Sequence, residues 1–298
     1  MIANRMAQIA KLNGLNEADD GVTRETKLRL WWTCYLVDTW ASGGSGLPRQ
    51  FDILNLAPRL PMDEEVFANM RPGDPDVLAS EWKQGFWGYN VQMATIYSQI
   101  TDLTKRIIHS DVWDEGGIED AVRGLAVQLT AFEESLPIRM RYSQSNLTFQ
   151  VERGLGRNFI ALHLGLNHYA TLLYYQYLDR NRPFTTNGAA YAARCKHHAI
   201  IFSEILQASR THGGAEAIYN IVGHITVVSS SVLLHSYLFG NPDEIADIQE
   251  RLESNFESLV QLRKYWLSVE LMVCVSSFTL FGVLTIRRYM HVFQSNKK

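Results

Sequence analysis

Apolar positions recur at helical spacing along most of this chain. Leu28, Trp31, Trp32, Tyr35 and Leu36 share one face of the segment from Arg24 to Asp38. Met93, Ile96, Tyr97, Ile100, Leu103 and Ile107 form a second stripe, and Ile118, Ala121, Val122, Leu125, Leu129 and Phe132 a third. Phe159, Leu162, Leu166, Tyr169, Leu173 and Tyr177 form a fourth. Strand-like alternation between paired turn signals is essentially missing. No internal repeat, low-complexity tract or separating linker stands out. The expected fold is therefore all-α, a single large multi-helix domain over residues 1–298. Each indole of the Trp31-Trp32 pair can bury roughly 150–250 Å², so this helix is expected in the core whatever the protein does.

Breakers divide the stripes. Gly43-Gly44-Ser45-Gly46-Leu47-Pro48 must end the tryptophan helix. Pro58, Pro61, Pro72, Gly73 and Pro75 predict a long, mostly irregular connection over 47–80, and Leu136-Pro137 closes the third stripe. Asn241-Pro242-Asp243-Glu244 combines a capping amide, a proline at the first helical position and acids at the positive helix end. It predicts a helix over 242–262 with Ile245, Ile248, Leu252, Phe256 and Leu259 inward. Six acids between Asp243 and Glu257 face Arg251 alone; they predict a solvated outer face, with a docking surface for a basic partner as the functional alternative.

Two stretches raise the question of a membrane. Leu271–Ile286 carries no charge, but spanning takes about twenty apolar residues and Glu270 blocks its extension. Ile221–Phe239 contains His224, three consecutive serines and His235. Both are read as buried helices, and no membrane partner is expected. The composition, 46% apolar and 20% charged over 298 residues, is that of an ordinary globular chain. A net charge of −3 argues against a nucleic-acid surface spread over the whole protein. Cys34, Cys195 and Cys274 are too few and too scattered for a disulfide framework or a zinc site, so a reducing compartment is the default. The first residues lack the apolar run of a secretion signal, which leaves the Asn146-Leu147-Thr148 sequon without consequence.

A search for chemistry yields no catalytic, cofactor-binding or metal residues. No Gly-x-x-x-x-Gly-Lys occurs, Gly154-Leu155-Gly156 never reaches a third glycine, and Leu47 stands where a nucleophile elbow at Ser45 needs glycine. Cys195 and His198 share a helix face while His197 points elsewhere, so these three are expected to be surface or partly buried polar residues. His163 and His168, five apart on an apolar helix, are expected to be hydrogen-bonded core histidines. Glu133 and Glu134 diverge on a helix and make no acid–base pair. Arg139 with Arg141, and Arg153 with Arg157, lack the length and aromatic interleaving of a nucleic-acid surface. The chain is not expected to be an enzyme.

The pattern Glu25, Lys27, Arg29, Leu30, Trp31, Trp32, Tyr35, Asp38, then Gly46-Leu47-Pro48 and Leu60-Pro61, carries a further meaning. It resembles the signature of the fungal-specific transcription factor domain, the large regulatory region of fungal zinc-cluster activators and repressors. Leu136-Pro137, Asn146-Leu147, Leu162-His163 and Arg182-Pro183-Phe184 follow in the family's order, so the resemblance covers about residues 10–285. Leu28 and Thr39 stand where the family usually has basic residues. The family domain normally begins well upstream of the tryptophan helix, so this chain looks like its later part. The six-cysteine zinc cluster with which such proteins dock DNA is not among these residues.

The resemblance implies regulation of transcription by RNA polymerase II in the nucleus. DNA binding and zinc would then belong to a module not in this chain, and no cofactor is expected here. The partners it implies are a small-molecule effector and protein co-regulators or a homodimer partner. The alternative is a cluster-less helical small-molecule-binding protein or enzyme that has reused the domain. A tight cavity with perturbed titrations would mark it, with His163, His168 and Glu270 the first residues to inspect.

Overall fold

Each apolar stripe lies along a helix, and the all-α class is as the periodicity predicts. The computed structural model describes residues 2–14, 16–45, 47–51, 59–110, 112–179, 181–183, 185–274 and 276. In chain order the helices are α1 (Ile2–Ile9), α2 (Gly21–Ser45), α3 (Glu64–Asn69), α4 (Phe86–His109), α5 (Glu115–Ser135), α6 (Gln144–Glu152), α7 (Gly156–Tyr175), α8 (Gly188–Thr211), α9 (Asn220–Phe239) and α10 (Ile245–Leu262). Among the described residues, extended pairing is confined to one antiparallel bridge, Met62 with Gln84. The chain sorts into two compact units, Met1–Trp113 and Asp114–Lys298.

In the first unit α2 packs against α1 and α4. Leu28, Trp31, Trp32, Tyr35 and Leu36 all bury, joined by Ala7, Phe51, Val91 and Ala94. Trp31 meets Phe51 edge-on at 4.7 Å between ring centroids, and Trp32 meets Tyr35 edge-on at 5.5 Å. The helix ends at Ser45, inside the glycine run expected to stop it. The connection over 47–80 is not wholly irregular, because it contains α3. Asp63 caps that helix by accepting from the Glu65 and Val66 N–H groups, and Glu64 and Glu65 occupy its first turn. Asp63-Glu64-Glu65 was a readable start signal that the flanking prolines overshadowed. Residues 52–58, including Pro58, lie outside the described residues.

In the second unit α7 is the central helix, packed against α8, α9, α5 and α6. Its start requires glycine: a Cβ at Gly156 would lie 2.6 Å from the Gly214 carbonyl oxygen. The α10 start is built much as expected. Asn241 Oδ1 accepts from Asp243 N, and a 3₁₀ turn, Pro242–Glu244, leads into the helix proper. Ile248, Leu252 and Leu259 are buried, while Ile245 and Phe256 are half-buried. One acid of α10 is answered from outside the helix, Glu257 by Arg210 of α8, while Arg251 pairs with Asp247 of its own helix and with Glu204 of α8.

Helix α9 is long and apolar enough to cross a membrane by length and composition alone, with mean hydropathy 1.4 over its best window and half of that window buried. It packs on α10 and α8. Asn255 of α10 accepts from Ser203 Oγ of α8 at 2.8 Å and donates to Ser230 Oγ of α9 at 3.1 Å, a polar tie among all three helices. Residues 269–274 are helical, with Val269 and Val273 buried. The remainder of the Leu271–Ile286 stretch, apart from residue 276, lies outside the described residues.

Candidate functional site

The signature residues of α2 build a buried clamp. Glu25, fully buried, accepts from Arg29 Nε at 2.9 Å and from the Met62 backbone N–H at 2.9 Å, and Arg59 Nη2 lies 3.7 Å from its other oxygen. Burial raises its pKa above the usual carboxylate value despite the Arg29 charge, the Met62 N–H and Arg59. Arg29 also donates to the Met62 carbonyl at 2.6 Å and lies over the Phe67 ring at 4.6 Å. Arg59 in turn forks onto Asp76, which Arg24 also reaches at 3.0 Å. Burial opposes the Asp76 charge, but hydrogen bonds from Arg59 and Arg24 hold its pKa below the ordinary value. Trp32 Nε1 donates to the Arg59 carbonyl at 2.9 Å. One turn further on, Asp38 accepts from Asn4 Nδ2, Gln50 N and Phe51 N. These side chains pin the chain at 50–51 and 59–62 against α2, where backbone groups have no helix or sheet to satisfy them. Lys27 pairs with Asp19, and Leu30 is exposed.

Two later motifs of the resemblance, Asn146-Leu147 and Leu162-His163, meet on one 3₁₀ turn, Ile138–Met140. Asn146 Nδ2 donates to the Ile138 carbonyl at 2.8 Å, Gln150 Nε2 to Arg139 O at 2.9 Å, and His163 Nε2 lies 2.8 Å from Met140 O. Three consecutive carbonyls are thus satisfied by side chains from α6 and α7. His163 is held neutral: burial lowers its pKa to about 4, against the effect of the Met140 hydrogen bond. Arg182 donates to Glu115 Oε1 and Gln176 Oε1, both at 2.7 Å, and covers the Tyr177 ring at 4.1 Å. Gly46 and Phe184 of the motifs lie outside the described residues.

His168 is a core residue beside His224, their ring centroids 6.4 Å apart, and burial brings its pKa down to about 3. Unlike His163 it leaves a buried nitrogen, Nδ1, without a hydrogen bond. Cys195 departs from the expectation of a surface or partly buried residue. It is fully buried, its thiol 3.5 Å from the Thr171 carbonyl, because the α8 face carrying it seats against α7. His198 Nδ1 pairs with Asn167 Oδ1 at 3.0 Å while His197 is exposed. Glu270 is exposed and pairs with Arg263. Among the described residues no group of three His, Cys, Asp or Glu side chains could hold a metal ion.

A cleft in the first unit has a volume of about 390 Å³. Leu47, Pro48 and Phe51 form its apolar wall; Tyr35, Arg49, Ser98, Asp102 and Lys105 supply polar atoms. Arg49 is committed to the Asp102 carboxylate and to the Ser98 hydroxyl and carbonyl. Lys105 Nζ donates to the Ser42 carbonyl at 3.3 Å. A smaller cleft of about 150 Å³ in the second unit is lined in part by Arg210, Glu216, Gln261 and Lys264. His163, His168 and Glu270 line neither. Sequence reasoning did not find the larger cleft, because its walls come from positions up to seventy residues apart, none of which forms a motif.

No family model and no solved structure matches the chain. Among curated proteins it is similar to the Zn(2)-C6 fungal-type transcription factor FTF1c of Fusarium oxysporum f. sp. lycopersici, at 22% identity over 85% of this chain and 29% of that protein. The Zn(2)-C6 fungal-type transcription factor FTF1a of the same organism is 22% identical over 85% of this chain and 25% of its own length. The chain therefore spans well under a third of the relatives it matches.

Proposed function

We propose that this chain is a regulatory region of a fungal zinc-cluster-type regulator of transcription by RNA polymerase II, acting in the nucleus and without catalysis. The observation that supports this reading most directly is the similarity to two named Zn(2)-C6 transcription factors over 85% of the chain. The geometry agrees in kind: the signature positions hold irregular segments onto helices rather than surrounding a reactive group. DNA would be contacted by a zinc cluster outside these residues. Regulation requires an effector or partner protein that favours one packing of these helices over another, since equal affinity for both shifts nothing. The 390 Å³ cleft in the first unit supplies a place for the effector.

The test is a fusion of the full chain to an unrelated DNA-binding module, read with a reporter gene carrying that module's site. At equal protein level the fusion should change reporter output relative to the module alone. Identical output, with the fusion folded and nuclear, would sink the reading. A cluster-less small-molecule-binding protein is the second reading, and the same cleft favours it. A fusion inert at the reporter whose chain still binds a ligand in the cleft would select it.

A further inference from the structure

We propose that the cleft of the first unit takes an apolar-bodied monocarboxylate, with the acid on Lys105. The proposal rests on the effector-site reading above and names the ligand class. It starts from charge. Of the two cations in the cleft, Arg49 is already matched by Asp102. Among the described residues no carboxylate lies within ion-pair distance of Lys105; this half-buried residue donates to a single carbonyl, that of Ser42. An ammonium carries three donors, so hydrogens remain for a ligand acceptor. The cleft thus presents one uncompensated positive charge, which calls for one negative charge and not two.

The remaining walls set the body of the ligand. Leu47, Pro48 and Phe51 are the apolar residues of its lining. Phe51 is held by the edge-on contact with Trp31, and its backbone N–H by Asp38, so this part of the lining is fixed before a ligand arrives. A volume of about 390 Å³ falls within the usual range for small-molecule sites. A neutral ligand would fill the space and leave Lys105 unanswered. A dianion would bring a charge with no partner.

The probes are 1-naphthylacetate and its neutral isostere 1-naphthylacetamide, titrated calorimetrically into the full chain. The acid should bind at least tenfold more tightly than the amide, and raising the salt should narrow the gap. Lys105→Gln should bring the two probes to equal affinity, and Lys105→Arg should restore the preference for the acid, with circular dichroism checking each variant's fold. Equal binding of both probes by the wild type, an acid preference that survives in Lys105→Gln, or no binding at about 1 mM would each overturn the proposal. The reporter fusion separates the two claims. An active fusion without probe binding removes the carboxylate site and leaves the regulatory reading. Acid-selective binding with an inert fusion keeps the site and removes the regulatory role.

Discussion

The two neighbouring tryptophans differ in one atom's circumstances, and that difference predicts opposite responses to the same substitution. Both indoles are 3% exposed. Trp32 Nε1 donates to the Arg59 carbonyl, whereas the buried Nε1 of Trp31 has no hydrogen-bond partner among the described residues. Replacing either by phenylalanine removes the same outer part of the indole, a loss of roughly 1 kcal/mol of apolar burial. At Trp32 the change also deletes a hydrogen bond worth about 0.5–1.5 kcal/mol, so Trp32→Phe should cost about 2 kcal/mol. At Trp31 it removes a buried unpaired donor whose desolvation penalty is about 1–3 kcal/mol, so Trp31→Phe should be close to neutral or slightly stabilising. The measurement is the urea midpoint by far-UV circular dichroism, with an unchanged slope confirming that stability alone has moved. Truncation to alanine removes this asymmetry: either single change should cost about 3–5 kcal/mol as a core cavity. If Trp31→Phe destabilised as much as Trp32→Phe, the contrast drawn between the two N–H groups would be wrong. If the double alanine variant matched the parent, the placement of α2 in the core would fall with it.

Buried neutral histidines give the second unit a predicted acid sensitivity. Burial lowers the pKa of His163 and His198 to about 4 and of His168 to about 3, and lowers that of His224 below the ordinary histidine value. The unfolded chain therefore binds protons that the folded chain refuses. Their stability contribution is fully present above pH 6.5 and is lost as pH falls through the window from 6.5 towards 4. Urea midpoints measured from pH 7.5 to 4.5 should fall steadily below neutrality, and His168→Phe should flatten the slope; a flat profile in the wild type would refute the assignment. Two glycines on helices should respond oppositely to alanine. Gly124→Ala meets open space within α5 and should stabilise by about 0.5–1 kcal/mol, whereas Gly156→Ala drives a methyl to 2.6 Å from the Gly214 carbonyl and should cost about 1–3 kcal/mol. Thermal melts of the two variants check both signs.

What could be read from the sequence was what is encoded locally. Helical periodicity depends on neighbours three and four apart, and it located α2, α4, α5 and α7 together with the faces they bury. The capping chemistry at Asn241 was local too and was legible; that at Asp63 was equally local but was masked by the prolines around it. Long-range partners left no such trace. The seat of Cys195 against α7 and the tie of Asn255 to Ser203 and Ser230 depend on residues 24 to 52 positions away. The cleft could not be read for the same reason: its charge count needs Arg49 paired with Asp102 and Lys105 left over, which only the packing of α2, the 47–51 segment and α4 decides.

The resemblance bridged part of that gap, and the structure gives the physical reason it could. Glu25, Arg29, Trp32 and Asp38 each satisfy backbone groups of a segment far along the chain. Asn146 and His163 do the same for a turn that neither helix contains. A group that closes such a bond is hard to replace, because its loss leaves a buried carbonyl or N–H unpaired at about 1–3 kcal/mol. Positions of this kind should tolerate less change than the surface around them. The corollary is that the recognisable positions specify the scaffold, and the properties particular to this chain are to be sought where the signature is silent. Lys105 is such a position: no motif contains it, and among the described residues no carboxylate answers its charge in the cleft it lines.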